Sequence, residues 1–79
     1  MERLISHNKV AGIKQTRAAV KARDALVVYI AKDADLHMVS EIASLCEEMN
    51  IELVCEYTRK ELAKACRIDV PCAAAAVLK

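Results

Sequence analysis

Large aromatic side chains are nearly absent from this sequence. Its 79 residues include no Trp, no Phe and two Tyr, although 56% of the residues are hydrophobic. A chain of this length forms one domain, here residues 1–79, and buries roughly 60–65% of its unfolded surface. The core must therefore be built from small aliphatic side chains. Such a core favours closely packed layers over a large ligand cavity.

The single glycine and the spacing of the cysteines exclude several kinds of site. One glycine is too few for a phosphate-binding P-loop or a dinucleotide fingerprint. The four cysteines are Cys46, Cys55, Cys66 and Cys72. They form no C-x-x-C pair, which argues against a zinc site. We expect them to be small buried hydrophobes with reduced thiols, as is typical of the cytoplasm, while a disulfide or a metal site is the alternative.

The sequence also lacks a catalytic pattern and a membrane segment. His7 and His37 belong to no Ser–His–acid or Cys–His arrangement, so we expect no enzyme activity, small-molecule substrate, metal or cofactor. No apolar run approaches the ~20 residues that span a membrane. Residues 1–6 are too short and too polar for a signal peptide. These features predict a cytoplasmic protein without a membrane partner, and we expect a monomer.

Charge is distributed unevenly along the chain. The net charge is only +1, but residues 9–23 carry five basic residues and no acidic one. Residues 33–56 carry seven acidic residues and no Lys or Arg. A basic pole that faces an anionic polymer, with an acidic pole turned away, would produce this distribution. Two unrelated solvated faces would produce it as well.

The basic segment contains the stretch around which the chain is organised. Gly12 comes before Ile13–Thr16, and the helix-favouring residues 17–23 follow. Free N–H groups at a helix start behind a glycine attract phosphate. The predicted helix carries a basic stripe of Lys14, Arg17 and Lys21 beside Ala18 on one side, and Ile13, Thr16, Ala19, Val20 and Arg23 on the other.

Hydrophobic periodicity predicts the elements that surround this helix. A short helix over residues 2–8, with Leu4 and Ile5 facing inward, and a short strand at 9–11 come before it. The continuous apolar run 25–31 indicates a central strand covered on both faces. Asp35 is a suitable N-cap for the next helix, and Asn50 is a suitable stop. The inward side of that helix is predicted to carry Met38, Val39, Ile42, Leu45, Cys46 and Met49, and its outer side the acidic Glu41, Glu47 and Glu48.

The last third of the chain is predicted to add two strands and a helix. The strand 51–57 has Ile51, Leu53, Cys55 and Tyr57 on one face. Thr58 and Glu61 have the spacing of a capping box, so a helix starts there and ends before Pro71. This helix is predicted to bury Leu62, Ala65 and Cys66. Residues 72–79 favour a helix by alanine propensity, but a short helix after proline is marginal, so we predict a strand. The order of elements indicates an α/β fold.

Five short strings of this sequence form a recognisable series: Gly12–Thr16, Ala31–Asp35, Leu45–Glu48, Glu61–Cys66 and Ile68–Pro71. Their order and spacing resemble those of the ribosomal protein L7Ae/L30e superfamily. Together they span nearly the whole chain, which most resembles the small bacterial ribosomal-protein-like members. The resemblance implies a three-layer α/β/α sandwich with a mixed four-stranded sheet. It also implies a non-catalytic, ribosome-associated protein that binds kink-turn RNA, a helix–bulge–helix bent at tandem sheared G·A pairs, with ribosomal RNA as one candidate.

The resemblance further implies a binding site in two parts. Behind Gly12, Lys14 and Gln15 read guanines in a major groove that the kink opens, since Lys donates to O6 and N7 and Gln offers a donor and an acceptor. The loop 68–71 packs on bulged nucleotides, unless its apolar side chains turn into the core. The implied RNA-binding residues are Gly12, Lys14, Gln15, Arg17, Lys21, Arg67, Ile68, Asp69, Val70 and Pro71.

Three positions depart from the family pattern. Ala63 and Arg67 stand where glycine is usual, so the helix must either end with Arg67 in the left-handed conformation, at about 1 kcal/mol, or turn differently. Ala18 stands where the family usually carries a basic residue, and Arg17 and Lys21 flank it. A protein–protein interaction module that has lost or weakened RNA binding is the alternative function. The intact string at residues 12–15 favours RNA binding.

Overall fold

The computed structural model describes residues 8–79, in which strands and helices alternate. The elements are β1 (Lys9–Ala11), α1 (Ile13–Lys21), β2 (Ala25–Ile30), α2 (Leu36–Glu48), β3 (Glu52–Val54), α3 (Arg59–Cys66) and β4 (Ala74–Leu78). The predicted alternation is confirmed over this range, including a strand rather than a helix in the alanine-rich segment. The predicted opening helix over residues 2–8 lies, except for residue 8, outside the described residues.

The four strands form one mixed sheet in the order β1-β4-β2-β3. β4 is antiparallel to both β1 and β2, and β2 is parallel to β3. β1, β2 and β3 therefore run in the same direction, and the helix that follows each of them begins at the same end of the sheet. We call this the N-cap end, after the three N-cap residues Gly12, Asp35 and Thr58.

Helices cover both faces of the sheet, which confirms the three-layer sandwich. On one face, buried residues of α1 and α2 pack against Val28, Ile30, Ala74 and Ala76. On the other face, buried residues of α3 pack against Val27, Tyr29, Ala75 and Val77. Ala74, Ala75 and Ala76 are fully buried in β4. Their small side chains allow the helices on both faces to approach the sheet closely.

The helix ends follow from residues close by in the sequence. Thr58 Oγ1 accepts a hydrogen bond from the Glu61 N–H (3.2 Å), and the Glu61 carboxylate accepts one from the Thr58 N–H (2.9 Å), which completes the capping box. The Thr58 N–H holds the pKa of Glu61 below its ordinary value. Asn50 has φ 56°, as expected for a helix stop. Arg67 has φ 58° and ψ 45°, so α3 ends with a non-glycine residue in the left-handed conformation.

One expected core position, Met38, and one expected helical position, Arg23, are wrong. Met38 is 57% exposed, because the buried side of α2 is formed by Val39, Ile42 and Cys46, and Met38 lies in the first turn beside that stripe. Arg23 does not continue the buried side of α1. The helix ends at Lys21, and Arg23 is exposed in the following turn with φ 61°.

The strand expected over residues 51–57 is shorter than predicted. β3 ends at Val54, and Leu53 and Cys55 are exposed. The chain leaves the sheet after Val54, so the alternation that placed Cys55 inward no longer holds. Cys66 at the end of α3 is half-buried. The expectation that all the cysteines are buried is therefore confirmed for Cys46 and Cys72 only.

Candidate nucleic-acid interface

The three helix starts at the N-cap end differ in how they are capped. The Asp35 side chain accepts a hydrogen bond from the His37 N–H (2.9 Å) at the start of α2. Thr58 and Glu61 cap α3 reciprocally. At α1 the N-cap is Gly12, no side chain caps the helix, and its first turn has no acidic residue. Among the described helices, the start of α1 is thus the one whose positive dipole end meets no side-chain acceptor.

Gly12 has a backbone conformation that other residues rarely adopt. Its φ of 107° and ψ of 155° fall in a region that is essentially restricted to glycine. Its N–H donates to the Ala74 carbonyl (2.8 Å), and its carbonyl accepts from the Thr16 N–H (2.9 Å). A Cβ at this position would lie 2.7 Å from Gln15 Oε1. The glycine therefore leaves room for the Gln15 side chain to lie over the backbone.

The basic side chains on α1 differ in their surroundings, and Arg17 forms an ion pair. Lys14 and Gln15 are exposed in the first turn, and Lys21 is exposed in the last. Arg17 is half-buried, and its Nη1 lies 3.4 Å from Glu41 Oε1 on α2. α1 and α2 pack side by side on one face of the sheet, so this part of the acidic region meets the basic stripe. The expectation of an acidic pole turned away from it is wrong at Glu41.

The loop between α3 and β4, residues Arg67–Pro71, is exposed throughout. Ile68 is 37% exposed and Val70 is 64% exposed, so neither side chain is buried in the core. The Ile68 N–H donates to the Ala63 carbonyl (3.0 Å), which fixes the start of the loop. The Cys72 N–H donates to the Arg59 carbonyl (3.2 Å), which fixes its end. We call this segment the α3–β4 loop.

Backbone hydrogen bonds bring the α3–β4 loop and the start of α1 together. The Gly12 N–H donates to the Ala74 carbonyl, and the Ala31 N–H donates to the Ala73 carbonyl (2.9 Å). The residues that follow the loop are therefore held between the ends of β1 and β2. Lys14, Gln15 and the loop residues belong to one end of the molecule. Lys21 lies two turns away, near the opposite end of α1.

Charged residues that the sequence analysis did not select also lie at the N-cap end. The Asp33 carboxylate accepts from the Arg59 N–H (2.8 Å) and lies 3.5 Å from Arg59 Nε. The Arg59 N–H holds the pKa of Asp33 below its ordinary value. The Lys32 N–H donates to the Tyr57 carbonyl (2.8 Å). Lys32 and Asp33 follow β2, and Arg59 follows β3. Because segments that follow parallel strands meet at one end of a sheet, this position in the sequence could have identified these charged residues.

The part of the chain that the structure describes contains neither a metal-ligand cluster nor a membrane-spanning helix. No group of three or more His, Cys, Asp and Glu side chains within residues 8–79 is placed to hold a metal ion. No helix in this range has the length and apolar character needed to cross a membrane.

Known proteins resemble this chain in both sequence and structure. The model of the ribosomal protein L7Ae/L30e/S12e/Gadd45 family matches residues 3–79. An RNA-binding protein of Caldanaerobacter subterraneus subsp. tengcongensis is 48% identical over 68 residues, which are 86% of this chain and 83% of that protein. RNA-binding protein YbxF of Geobacillus stearothermophilus is 35% identical over 79 residues, or 99% of this chain and 96% of YbxF.

A solved structure supports the same assignment. The Giardia lamblia 15.5kD RNA binding protein superimposes with a TM-score of 0.88 at 26% sequence identity, covering 98% of this chain and 69% of that protein. The resemblance recognised from the five sequence strings is thereby confirmed. This chain belongs to the ribosomal protein L7Ae/L30e/S12e/Gadd45 family.

Proposed function

We propose that this chain is a non-catalytic RNA-binding protein that recognises kink-turn RNA through the start of α1 and the α3–β4 loop. One observation carries the proposal: the hydrogen bond from the Gly12 N–H to the Ala74 carbonyl (2.8 Å). It holds the uncapped helix start beside the end of the loop, so one RNA can contact both. The names of the relatives as RNA-binding proteins support the same ligand class.

The start of α1 has the chemistry for a base-reading contact. Its free N–H groups and positive dipole end favour a phosphate or an electronegative base edge. Lys14 and Gln15 are exposed there, and both can bond purine edges. The major groove of regular A-form RNA is too narrow for side chains, so these residues require an RNA whose groove is opened. A kinked helix provides that opening.

The α3–β4 loop offers an apolar contact of a different kind. Ile68 and Val70 expose aliphatic surface to water between Arg67 and Pro71. An unstacked base can cover such surface, whereas bases inside a continuous helix cannot reach it. We infer that Arg67 contributes a phosphate contact beside Ile68, Asp69, Val70 and Pro71. Arg17 and Lys21 contribute mainly long-range attraction, because Arg17 pairs with Glu41 and Lys21 lies away from the N-cap end.

A gel-shift titration tests the proposal with two matched RNAs. One carries a kink-turn, and in the other the G·A pairs are replaced by Watson–Crick pairs. We expect tight binding of the first only, because groove and bulge contacts exist only in the kinked form. Equal affinity for both RNAs would reduce the interaction to nonspecific electrostatics and contradict the proposal.

Alanine variants test which side chains contact the RNA. Lys14→Ala and Gln15→Ala are each expected to weaken kink-turn binding by roughly 1–3 kcal/mol while the domain stays folded. Lys79→Ala is the matched control. Lys79 is also exposed, and it follows the carboxyl end of β4, at the end of the sheet away from Gly12. If Lys79→Ala weakened kink-turn binding as much as Lys14→Ala does, the effect would reflect only the loss of a positive charge.

The proposal extends to the cellular setting. We infer a monomer that acts in the cytoplasm in association with ribosomes, supported by the family's description as ribosomal proteins. Sedimentation of a cell extract, with the chain detected in each fraction, tests the association. Its presence only in the ribosome-free fractions would contradict it.

A further inference from the structure

The α3–β4 loop runs back along the helix that comes before it. The Ile68 N–H donates to the carbonyl of Ala63, and the Cys72 N–H donates to the carbonyl of Arg59, the first residue of α3. The chain that leaves the end of α3 is therefore held beside its start. Because α3 has eight residues and is about 12 Å long, the helix and the loop lie side by side over this length.

A groove lies between the helix and the loop. Its volume is about 420 Å³, and it is lined by Lys60, Ala63 and Lys64 of α3 and by residues Ile68–Pro71 of the loop. Ala63 is buried, and its single methyl group leaves space that a longer side chain would occupy. The volume lies within the range of roughly 300–1,000 Å³ that is typical of sites for small ligands. We call this feature the α3 groove.

The helix wall of the α3 groove is positively charged. Lys60 and Lys64 are four residues apart, so they lie on the same side of α3, and both are exposed. Arg59 pairs with Asp33, whereas neither lysine side chain forms a hydrogen bond or an ion pair with another residue of the described range 8–79. Like charges at this spacing repel each other and destabilise a helix. A bound phosphate would relieve this repulsion, and lysine is a common phosphate ligand.

The loop wall of the α3 groove is mostly apolar and carries one acidic group. Val70 is 64% exposed, and Ile68 and Pro71 are exposed as well, so their aliphatic surface can pack against the face of an unstacked base. The Asp69 carboxylate is an acceptor that suits a ribose hydroxyl group. The α3 groove therefore has a suitable partner for each part of a nucleotide, namely the phosphate, the base and the sugar.

We propose that the α3 groove binds an unpaired nucleotide of RNA. The phosphate lies between Lys60 and Lys64, and the base packs against Ile68 and Val70. Continuity with the candidate interface favours RNA over other anions, because the α3–β4 loop belongs to both. This nucleotide is additional to the G·A pairs and the bulge of the kink-turn. The chain should therefore prefer a kink-turn whose bulge is extended by further unpaired nucleotides.

Two kink-turn RNAs that differ only in the bulge test this preference in a gel-shift titration. Two added unpaired nucleotides should tighten binding by about fivefold, the low end of what one stacked base contributes. The variant Lys60→Ala/Lys64→Ala should bind both RNAs equally, and alanine keeps the helix propensity of α3. Equal affinity of the parent chain for both RNAs, or a fivefold difference that persists in this variant, would overturn the proposal.

The matched control removes two positive charges from the other end of the molecule. Arg23 and Lys79 line a separate depression there, and both are exposed. Glycine suits the φ of 61° at position 23, so the control is Arg23→Gly/Lys79→Ala. It should keep the fivefold difference between the two RNAs. Loss of the difference in the control would show that total charge, and not the α3 groove, produces it.

Photo-crosslinking locates the added nucleotides. One of them is replaced by 4-thiouridine, and the irradiated complex is digested with trypsin, which cleaves after Lys60, Lys64 and Arg67. The crosslinked fragment should contain residues 61–64 or residues 68–79. A crosslink confined to residues 10–17 would place the added nucleotide at the start of α1 and overturn the proposal.

The position of the nucleotide beside the bulge rests on the proposed function, whereas the affinity of the α3 groove for unpaired RNA does not. A short oligouridine, which has no kink-turn, should bind the parent chain at low salt and bind Lys60→Ala/Lys64→Ala about fivefold more weakly. Lysine-dependent binding of oligouridine without binding of the kink-turn would contradict the proposed function alone. Kink-turn binding together with oligouridine binding that is equal in the parent chain and the variant would overturn the α3 groove alone.

Discussion

At the residue scale, two positive-φ positions, one in each part of the candidate interface, have opposite requirements. Gly12 occupies a conformation that is essentially restricted to glycine, with φ 107°. Arg67 occupies the left-handed helical region with φ 58°, which a non-glycine residue reaches at a modest cost. The sequence has glycine at the first position, which suits it. At the second it has arginine, whose left-handed conformation costs free energy. Substitutions at the two positions should therefore change the free energy of unfolding in opposite directions.

Urea unfolding measures both changes. Gly12→Ala should lower the free energy of unfolding by about 1–2 kcal/mol, because φ is strained and the added Cβ meets the end of the Gln15 side chain. Gly12→Asn should not be better tolerated, since asparagine favours the left-handed helical region and not this one. Arg67→Gly should raise the free energy by about 0.5–1 kcal/mol. Two changes of the same sign would contradict the described backbone.

Ala18 is the residue at which added charge should be most informative. It is exposed one turn after Lys14 and lies next to Gln15 in a surface depression. Ala18→Lys should tighten kink-turn binding and steepen its salt dependence by about one counterion, since lysine is a good helix former and can reach the same groove. Ala22→Lys, one turn further from the N-cap end, is the control. Unchanged or weaker binding by Ala18→Lys would mean that α1 docks differently.

At the element scale, the helix starts could be predicted because their determinants lie within a few residues. Thr58 and Glu61 are three positions apart, and the structure forms the expected box. β4 could be predicted against the helix propensity of alanine, because a short isolated helix is marginal. The predicted ends of α1 and β3 are wrong, because they depend on where the chain leaves the packed layers.

The side-chain pairs could not be predicted, because they join distant parts of the chain. Arg17 and Glu41 are 24 residues apart, and Arg59 and Asp33 are 26 apart. Such pairs depend on how helices are rotated and shifted over the sheet, which a local pattern does not contain. The family resemblance is the basis for assigning Lys14 and Gln15 to contacts with RNA bases. Their exposure is confirmed, and their contact with RNA stays a prediction.

The cap of α3 gives a prediction for one element. Thr58→Ala should lower the free energy of unfolding by about 1 kcal/mol, because the Glu61 N–H at the helix start loses its acceptor. Thr58→Ser keeps an acceptor oxygen and should retain most of the stability. Thermal unfolding followed by circular dichroism measures the stability of the parent chain and of both variants. Equal stability of the alanine and serine variants would contradict a role for the hydroxyl group.

At the scale of the whole molecule, the thiols make stability depend on pH. Its interaction with the Cys66 thiol lowers the pKa of Cys72 from the ordinary value of 9.0 to about 6 in the folded chain. Between these values the unfolded chain binds more protons, so stability rises with pH through this window and is lost as pH falls through 6. Burial raises the pKa of Cys46, and the interaction with Cys72 raises the pKa of Cys66. Above their ordinary pKa these two thiols therefore make stability fall as pH rises.

Urea midpoints at several pH values test this dependence. The midpoint of the reduced chain should rise from pH 6 to pH 8.5, and the rise should be smaller in Cys72→Ala. Cys55→Ser removes an exposed thiol and should keep the rise of the parent chain. The same slope in the parent chain and in Cys72→Ala would contradict thiolate formation at Cys72.

The position of β4 in the sheet determines when the fold can be completed. β4 is the last strand in sequence, yet it lies between β1 and β2 and joins them. During synthesis, β1 through α3 are made before the segment that links β1 to the rest of the sheet exists. Until Ala74–Leu78 emerges, Gly12 lacks the carbonyl of Ala74, and the start of α1 has no fixed neighbour. The N-cap end should therefore be completed only when Ala74–Leu78 is free to pair with both β1 and β2.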